Sequence, residues 1–261
     1  MTNKINLVSW NVNGIRSVDR NGGLKRVMTL DPDILCLQEI RIDKDPKIDL
    51  GSYHAEYNFA ARKGYAGTAI LSKQKPIRVI MDGDMDIPYS KDGRMIIAEF
   101  EDLFVMTVYG PVATNGEILV SKCEWLAGLI EMAEVMNESK PAIICGDFNI
   151  APTSLDVCHG RIADGSTCCT DYERTCLGIF EEKGFIDIYR KQNPRGDDYT
   201  WWSHKGRCRA LDLGYRLDLF FVSQNIVNRC ECNLLNNIFG SDHCPVQLSV
   251  KGGKRCLDMQ L

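Results

Sequence analysis

The chain has 261 residues, of which 44% are hydrophobic and 25% charged, and its net charge is −4. This length fits one large α/β domain or two small ones, and because no linker-like segment interrupts it we predict a single domain over residues 1–261. No apolar run approaches the roughly 20 residues of a membrane span, and the first residues lack a signal-peptide pattern. We therefore expect an intracellular protein, cytoplasmic or nuclear, that does not associate with membranes and whose cysteines are thiols.

Eight apolar runs predict β-strands. In chain order they cover residues 5–10, 34–37, 68–71, 95–100, 104–109, 142–145, 217–222 and 246–250. Several are apolar at successive residues, which is typical of strands covered on both faces. Spacings of three and four predict a helix over 119–136, and a second helix over 172–183 is predicted to end at Gly184. Such strands, with helices between them, indicate an α/β fold of two packed sheets with helices outside.

Polar side chains lie near three of these runs, where a strand meets a loop. They lie in Leu37-Gln38-Glu39, Gly146-Asp147-Phe148-Asn149 and Gly240-Ser241-Asp242-His243. Where strands of stacked sheets meet loops, polar groups can converge on a substrate without being buried unpaired. Three carboxylates, two amides and one histidine on such an edge indicate divalent-metal phosphoester hydrolysis.

Asp147 and Asn149 lie two residues apart at a strand end, so their side chains point to the same side. A carboxylate and an amide placed in this way can together hold a water, a metal ion or a phosphate oxygen. The alternative is an Asx turn, since Gly-Asp-x-Asn is rich in turn-forming residues. Asn11 and Asn13 show the same spacing and leave the same two interpretations open.

Asp242 and His243 are adjacent, so in an extended chain their side chains point to opposite sides. If His243 acts in catalysis, a carboxylate from elsewhere must orient its imidazole. Asp218 is the best candidate, because a charge within the apolar run 217–222 is otherwise costly to bury. The alternative for His243 is a surface turn before Pro245.

Glu39 ends an apolar run, and its carboxylate suits Mg²⁺, which takes one or two carboxylates and retains waters. The alternative is an acid at a helix N-terminus, favoured there by the helix dipole. For Glu39 alone the two interpretations are equally supported. The metal interpretation is favoured when all the polar sites are explained together.

Six motifs occur along residues 5–250. They are Ser9-Trp10-Asn11-Val12-Asn13-Gly14, Leu37-Gln38-Glu39, Gly64-Tyr65-Ala66-Gly67, Gly146-Asp147-Phe148-Asn149, Tyr215-Arg216-Leu217-Asp218 and Gly240-Ser241-Asp242-His243-Cys244-Pro245. In this order they resemble the exonuclease III family of apurinic/apyrimidinic endonucleases, within the endonuclease/exonuclease/phosphatase superfamily. The resemblance implies a four-layered α/β sandwich, two packed mixed β-sheets flanked by helices, with the site at one edge of the sheets.

The resemblance implies five catalytic residues. Asp147 would orient and activate the attacking water, and Asn149 would steady the pentacovalent phosphorane. His243, held by Asp218, would contact the scissile phosphate. Tyr109 would lie near the leaving group or the phosphate.

The resemblance also implies a metal site and a DNA-binding surface. Glu39 and Asn11 would hold Mg²⁺, for which Mn²⁺ can substitute, and Asp242 would support the metal region. The implied DNA-binding residues are Tyr65, Arg94, Trp201, Tyr215 and Leu217. Trp201, Tyr215 and Leu217 would line a pocket for an everted abasic sugar. Arg94 would lie close to the DNA backbone, with a solvated strand-edge arginine as the alternative.

Three departures from the family pattern bear on affinity and lesion preference. After Tyr109 the family usually has a Pro-Asn pair, whereas this chain has Gly110-Pro111-Val112, so an expected amide contact to the phosphate is missing. Asn115 is a candidate substitute. Tyr215 stands where many relatives carry tryptophan, and the segment 159–169 lacks the asparagines often found there.

The predicted function is that of a Mg²⁺-dependent DNA-repair phosphodiesterase, a monomer acting on double-stranded DNA, that incises the backbone 5′ to abasic sites. Exonuclease activity in the 3′→5′ direction and 3′-phosphatase activity are possible companions. Two alternatives remain: a phosphatase acting on a small phosphoester such as an inositol phosphate, and a weakly active nucleic-acid-binding module. The complete catalytic set argues against the module, and the Trp201-Trp202 segment argues against the phosphatase.

Overall fold

The computed structural model describes residues 4–158 and 167–252, and its framework is two six-stranded β-sheets. Sheet 1 contains, in spatial order, β11 (Cys230–Leu234), β12 (Val246–Lys251), β1 (Lys4–Asn11), β2 (Ile34–Gln38), β4 (Thr68–Ser72) and β3 (His54–Asn58). Sheet 2 contains, in spatial order, β5 (Arg78–Met81), β6 (Met95–Glu99), β7 (Phe104–Tyr109), β8 (Ala142–Asp147), β10 (Asp218–Ser223) and β9 (Phe185–Asp187).

The two sheets repeat one strand pattern. The order β12-β1-β2-β4-β3 in sheet 1 corresponds to β6-β7-β8-β10-β9 in sheet 2. In each sheet the central pair, β1–β2 or β7–β8, is parallel and its flanking pairings are antiparallel. Asn11 and Asp147, the last residues of β1 and β8, are hydrogen-bonded at 2.8 Å across the sheets. The carboxyl ends of the parallel strands therefore meet at one edge of the molecule.

Helices cover the outer face of each sheet. Sheet 1 is covered by α1 (Ile15–Arg20) and α2 (Gly23–Met28), and sheet 2 by α3 (Gly116–Ser139) and α4 (Asp171–Glu182), while α5 (Ile188–Gln192) packs beside β11 and β10. Short 3-10 helices cover Asp82–Asp84, Ser154–Asp156, Lys205–Arg207 and Gln224–Arg229. None of the described helices is long and apolar enough to span a membrane. With the apolar layer between the sheets, these helices complete the predicted four-layered sandwich, which is confirmed.

The eight predicted strands and the two predicted helices are confirmed. Each strand end lies within two residues of its predicted position. The helix after residue 170 ends at Glu182, and Gly184 follows its C-cap with φ +82, the left-handed conformation that favours glycine at this position. Apolar periodicity therefore located the elements that build the interior.

The strands that the sequence did not predict are the four edge strands, β3, β5, β9 and β11. They are three to five residues long: β3 and β5 are mostly half-buried, β11 alternates between buried and exposed residues before its half-buried end, and β9 has only three residues. Natural sheets use short, polar edge strands because an unpaired apolar edge invites association. Such strands lack the apolar run on which the prediction depended.

Candidate active site

Asp147, the last residue of β8, lies at the centre of the site and is 1% exposed. Gly146 before it has φ +139, and a Cβ there would lie 2.0 Å from the carbonyl oxygen of Val108, so only glycine fits. The Oδ2 atom of Asp147 accepts a hydrogen bond from Asn11 Nδ2 at 2.8 Å. Its Oδ1 atom accepts one from the backbone N–H of Asn149 at 2.9 Å. The Asx turn therefore forms, and it also holds the carboxylate and the Asn149 amide together at 3.4 Å.

His243 is buried between two carboxylates. Its Nδ1 lies 2.8 Å from Asp218 Oδ2, and its Nε2 lies 3.8 Å from Asp147 Oδ2. Asp218 and Asp147 face each other as partners on β10 and β8. His243 is 4% exposed, so the alternative of a surface turn residue is wrong. The predicted pairing of Asp218 with His243 is present in the structure.

Burial and the neighbouring charges shift the pKa values of Asp147 and His243. Burial raises the pKa of Asp147 to about 7, with a further rise from Asp218 and an opposing effect from His243. Burial lowers the pKa of His243, but the carboxylates of Asp218 and Asp147 outweigh it and raise the value to about 10. An imidazolium beside a carboxylate that titrates near neutrality can donate to an anion while the carboxylate accepts a proton.

Glu39 follows β2 with φ +50 and lies in a loop, so the alternative of a helix N-terminal acid is wrong. Its Oε1 accepts a hydrogen bond from Tyr109 Oη at 2.8 Å and one from Asn11 Nδ2 at 3.2 Å. Its Oε2 pairs with Arg41, whose Nε lies 2.8 Å away. Burial, Glu39 and Asp147 all raise the pKa of Tyr109, so its hydroxyl stays protonated. Glu39 thus links the ends of β1, β2 and β7.

Oxygen donors at Glu39 and Asn11 form the candidate metal site. The described residues contain no group of three or more His, Cys, Asp and Glu side chains that could hold a metal ion. The Asn11 amide lies between the carboxylates of Glu39 and Asp147. One or two carboxylates with a neutral oxygen donor fit a hard divalent cation that keeps several waters. The donor set therefore fits Mg²⁺ better than a zinc ion, which prefers histidine and cysteine.

Asp242 is connected to Asn11 through a chain of hydrogen bonds that does not include Glu39. Its Oδ1 accepts a hydrogen bond from Asn13 Nδ2 at 2.8 Å, and its Oδ2 accepts one from Trp201 Nε1 at 3.1 Å. The backbone N–H of Asn13 donates to Asn11 Oδ1 at 3.0 Å. Asp242 can therefore influence the candidate metal site through Asn13, and it connects that site to Trp201.

Arg94 is buried, which contradicts the alternative of a solvated strand-edge arginine. It is 2% exposed, and its guanidinium lies over the rings of Tyr65, Tyr89 and Tyr109 at 4.9–5.4 Å. Its Nη2 donates to Tyr65 Oη at 2.5 Å, and its Nη1 donates to the carbonyl of Tyr109 at 3.1 Å. The expected proximity of Arg94 to the DNA backbone stays a prediction. Tyr65 and Tyr89 are the half-buried members of this cluster, whereas Arg94 and Tyr109 are buried.

Trp201 and Tyr215 form an aromatic wall beside His243. Their rings lie 5.3 Å apart, and the Trp201 ring lies 6.5 Å from the His243 ring. Both aromatic residues are half-buried, and Leu217, 4% exposed, packs behind them. Trp202 instead belongs to the core, with its Nε1 donating to Asp212. The structure therefore brings the three predicted pocket residues together next to the catalytic candidates.

The departures after Tyr109 also have structural consequences. The carbonyl of Gly110 accepts a hydrogen bond from Asn149 Nδ2 at 2.9 Å, while Val112 is 42% exposed. Asn115 caps α3, and its Oδ1 accepts from the backbone N–H of Ile118 at 2.9 Å. Its side chain is thus already used in helix capping, which argues against a substitute phosphate contact. Residues 159–166 of the segment without asparagines lie outside the described residues.

Sequence reasoning missed two residues that contact the site. Arg41 pairs with Glu39, and Lys122 donates from α3 to the backbone carbonyl of Asn149 at 2.8 Å. Lys122 lies on the apolar stripe of α3, four and seven residues before Leu126 and Leu129. A lysine at a core position of a helix could have predicted a buried ion pair from the sequence. Arg41 carried no comparable signal, because exposed loop arginines are common.

Carboxylates, an amide and a buried imidazolium converge at one edge of the two sheets. This arrangement indicates a phosphoester hydrolase. Residues 8–243 match the endonuclease/exonuclease/phosphatase family, and the chain belongs to this family. An exodeoxyribonuclease from Bacillus subtilis is 38% identical over 94% of this chain and 98% of its own length. A DNA-(apurinic or apyrimidinic site) endonuclease from Dictyostelium discoideum is 35% identical over 95% of this chain and 71% of its own length. A 3′-phosphatase from Neisseria, bound to a product DNA hairpin, has a TM-score of 0.81 at 26% identity and covers 94% of this chain and 98% of that chain.

Proposed function

We propose that this chain is a Mg²⁺-dependent DNA-repair phosphodiesterase that incises the DNA backbone 5′ to abasic sites. The observation that carries the proposal is His243, hydrogen-bonded to Asp218 at 2.8 Å, facing Asp147, and bordered by Trp201 at 6.5 Å. His243, Asp218 and Asp147 supply the chemistry of phosphoester hydrolysis. The aromatic wall beside them supplies a surface for a sugar that has lost its base.

Hydrolysis requires a base for water and donors for the phosphate. Asp147, with its raised pKa, would take a proton as the water oxygen bonds to phosphorus. The bond from phosphorus to the 3′-oxygen then breaks, and that oxygen takes up a proton to become a 3′-hydroxyl. Asn149 and His243 would donate hydrogen bonds to the phosphate as negative charge develops. Tyr109, hydrogen-bonded to Glu39, would lie near the phosphate or the leaving oxygen.

Glu39 and Asn11 would hold the Mg²⁺ ion, with Asp242 supporting this region through Asn13. When bound, the ion supplies positive charge that stabilises the developing negative charge on the phosphate. The Arg41 pair and the Tyr109 hydroxyl keep the Glu39 carboxylate oriented toward Asn11. These contacts hold the Glu39 carboxylate in place before a metal ion binds.

The proposed substrate is double-stranded DNA that contains an abasic site. Trp201, Tyr215 and Leu217 would line the pocket for the everted sugar, because apolar walls can enclose a sugar that lacks a base and leave no room for an intact nucleotide. Tyr65, supported by Arg94, would contact the DNA strand. The Neisseria relative supports a companion activity on 3′ ends. We further propose that the chain acts as one domain, as a monomer and inside the cell.

An abasic duplex oligonucleotide, compared with an intact duplex and with an inositol phosphate, tests the proposal. We expect Mg²⁺-dependent cutting of the abasic duplex and little hydrolysis of the other two substrates. Faster hydrolysis of the small phosphoester would favour the phosphatase alternative. Tight binding of the abasic duplex without cutting at any Mg²⁺ concentration would favour the binding-module alternative.

A further inference from the structure

A buried ion pair lies directly behind the proposed phosphate-binding turn. Lys122 of α3 and Glu173 of α4 both have fully buried side chains, and their Nζ and Oε1 atoms lie 2.7 Å apart. Lys122 Nζ also donates to the backbone carbonyl of Asn149 at 2.8 Å. The other Glu173 oxygen, Oε2, accepts hydrogen bonds from the backbone N–H and the hydroxyl of Thr170. Each charged group is therefore satisfied and excluded from water.

Burial of two charges is a costly way to join two helices. Desolvation can cancel or exceed the attraction within such a pair, and apolar replacements of similar size are often neutral or stabilising. The surroundings of Lys122 on α3 are apolar, with Trp125, Leu126 and Leu129 fully buried. Packing alone would favour an apolar residue at this position. The third contact of Lys122, to Asn149, distinguishes it from a purely helix-joining lysine.

Asn149 occupies a backbone conformation that needs support. Its φ is +50, in the left-handed region, which few non-glycine residues adopt and which asparagine adopts more readily than most. Its backbone N–H donates to Asp147 and its side chain donates to the Gly110 carbonyl, so Lys122 provides the bond on the carbonyl side. A change in the backbone dihedrals of Asn149 would move its side-chain amide and the N–H that is bonded to the Asp147 carboxylate.

We propose that Lys122 is a positioning residue, which fixes the Asp147–Asn149 turn in the geometry needed for phosphate hydrolysis, with Glu173 holding its ammonium group in place. This inference rests on the proposed function, because the proposed function is what places Asp147 and Asn149 at the reacting phosphate. A displacement of about 1 Å in a catalytic group can lower a rate by as much as ~100-fold. Lys122 would therefore act on kcat, with little effect on substrate binding.

The test variant is Lys122→Met/Glu173→Gln, which removes both charges, keeps the side-chain lengths and leaves no buried ion unpaired. The control is Lys140→Met/Glu99→Gln, at the C-cap of α3 and therefore at the opposite end of the same helix. Lys140 also binds a carboxylate, Glu99 Oε1 at 2.6 Å, and a backbone carbonyl, that of Phe100 at 3.0 Å, but away from the site. We expect the test variant to lose at least about 10-fold in kcat with KM within about 2-fold, and the control to lose neither.

Melting temperatures and a second background separate positioning from general destabilisation. If Lys122 acts through the turn, the test variant should melt within a few degrees of the native protein and still lose kcat. In an Asn149→Ala background, the same double substitution should cost less in kcat than in the native protein, because the amide is gone and only the Asp147 carboxylate is left to be positioned. A folded test variant with native kcat, or an undiminished loss in that background, would overturn the inference. Native protein that cuts no abasic DNA would instead overturn the proposed function.

Discussion

His243 and Asp218 should behave as one catalytic unit, and a double-mutant cycle measures this. In His243→Ala, the Asp218 carboxylate loses its 2.8 Å partner, and its Oδ1 atom has no hydrogen-bond partner within the described residues even in the native protein. In Asp218→Ala, the buried imidazole keeps only Asp147, at 3.8 Å. Each single variant should therefore lose activity through the same missing group, the oriented imidazolium.

The size of the coupling follows from these contacts. A positioned acid or base contributes ~10²–10⁴-fold to a rate, so we expect each single variant to lose at least about 100-fold in kcat. If both losses have one origin, the double variant should be less than about 3-fold slower than His243→Ala, and the coupling energy should be about 2.7 kcal/mol. An unpaired buried charge costs about 3–5 kcal/mol of stability, so the double variant should also be more stable than His243→Ala.

Single-turnover cutting of an abasic duplex and urea unfolding of the four proteins provide the two readouts. The expected pattern is overlapping losses of rate together with a stability that partly recovers in the double variant. Losses of rate that multiply to about 10⁴-fold would show that the two residues act independently. In that case Asp218 would not be the residue that orients His243.

Four further predictions concern single positions. Glu39→Gln should weaken Mg²⁺ activation and be partly rescued by more metal, because a ligand charge is lost while an oxygen is kept, and a titration of activity against Mg²⁺ measures this. Asp147→Asn should lose several orders of magnitude in rate with DNA binding kept, and retention of more than about a tenth of the activity, a loss under ~1.4 kcal/mol, would refute its role. Trp201→Ala should reduce discrimination between abasic and intact duplex at a nearly unchanged melting temperature, whereas a large fall in melting temperature with unchanged discrimination would make Trp201 a core residue. Burial raises the pKa of Asp156, but the guanidinium groups of Arg216 and Arg190 outweigh burial and lower that pKa below its ordinary value of about 3.9. The Asp156 carboxylate should therefore stabilise the fold above that ordinary value, and this stabilisation should be lost as the pH falls through the lowered pKa. Urea unfolding between about pH 5 and about pH 2 should therefore show a steeper loss for native protein than for Asp156→Asn.

The interior of the fold and the central site residues could be predicted from the sequence. Apolar runs mark strands that are buried on both faces, and the short polar motifs mark where those strands end. The pairing of Asp218 with His243 was predicted from the cost of burying a lone charge, and the two groups lie 2.8 Å apart. Edge strands could not be predicted in this way, because they are only three to five residues long and none carries a long apolar run.

Long-range contacts of charged side chains account for what the sequence did not predict. Arg94 and Lys122 both look like solvent-facing residues in isolation, yet tyrosine rings enclose one and Glu173 pairs with the other inside the protein. Their partners include residues 15, 29 and 51 positions away in the chain. Asn115 shows the converse, since a polar residue near the site is used by the adjacent helix as its N-cap.

Cutting of a duplex with one abasic site, followed by analysis of the new ends, tests the proposed function most directly. We predict a single Mg²⁺-dependent cut on the 5′ side of the abasic sugar, which leaves a 3′-hydroxyl that a DNA polymerase can extend. The same cut should be lost in Asp147→Asn and absent from the undamaged duplex. Cutting on the 3′ side of the sugar, or equal cutting of the undamaged duplex, would contradict the proposed function.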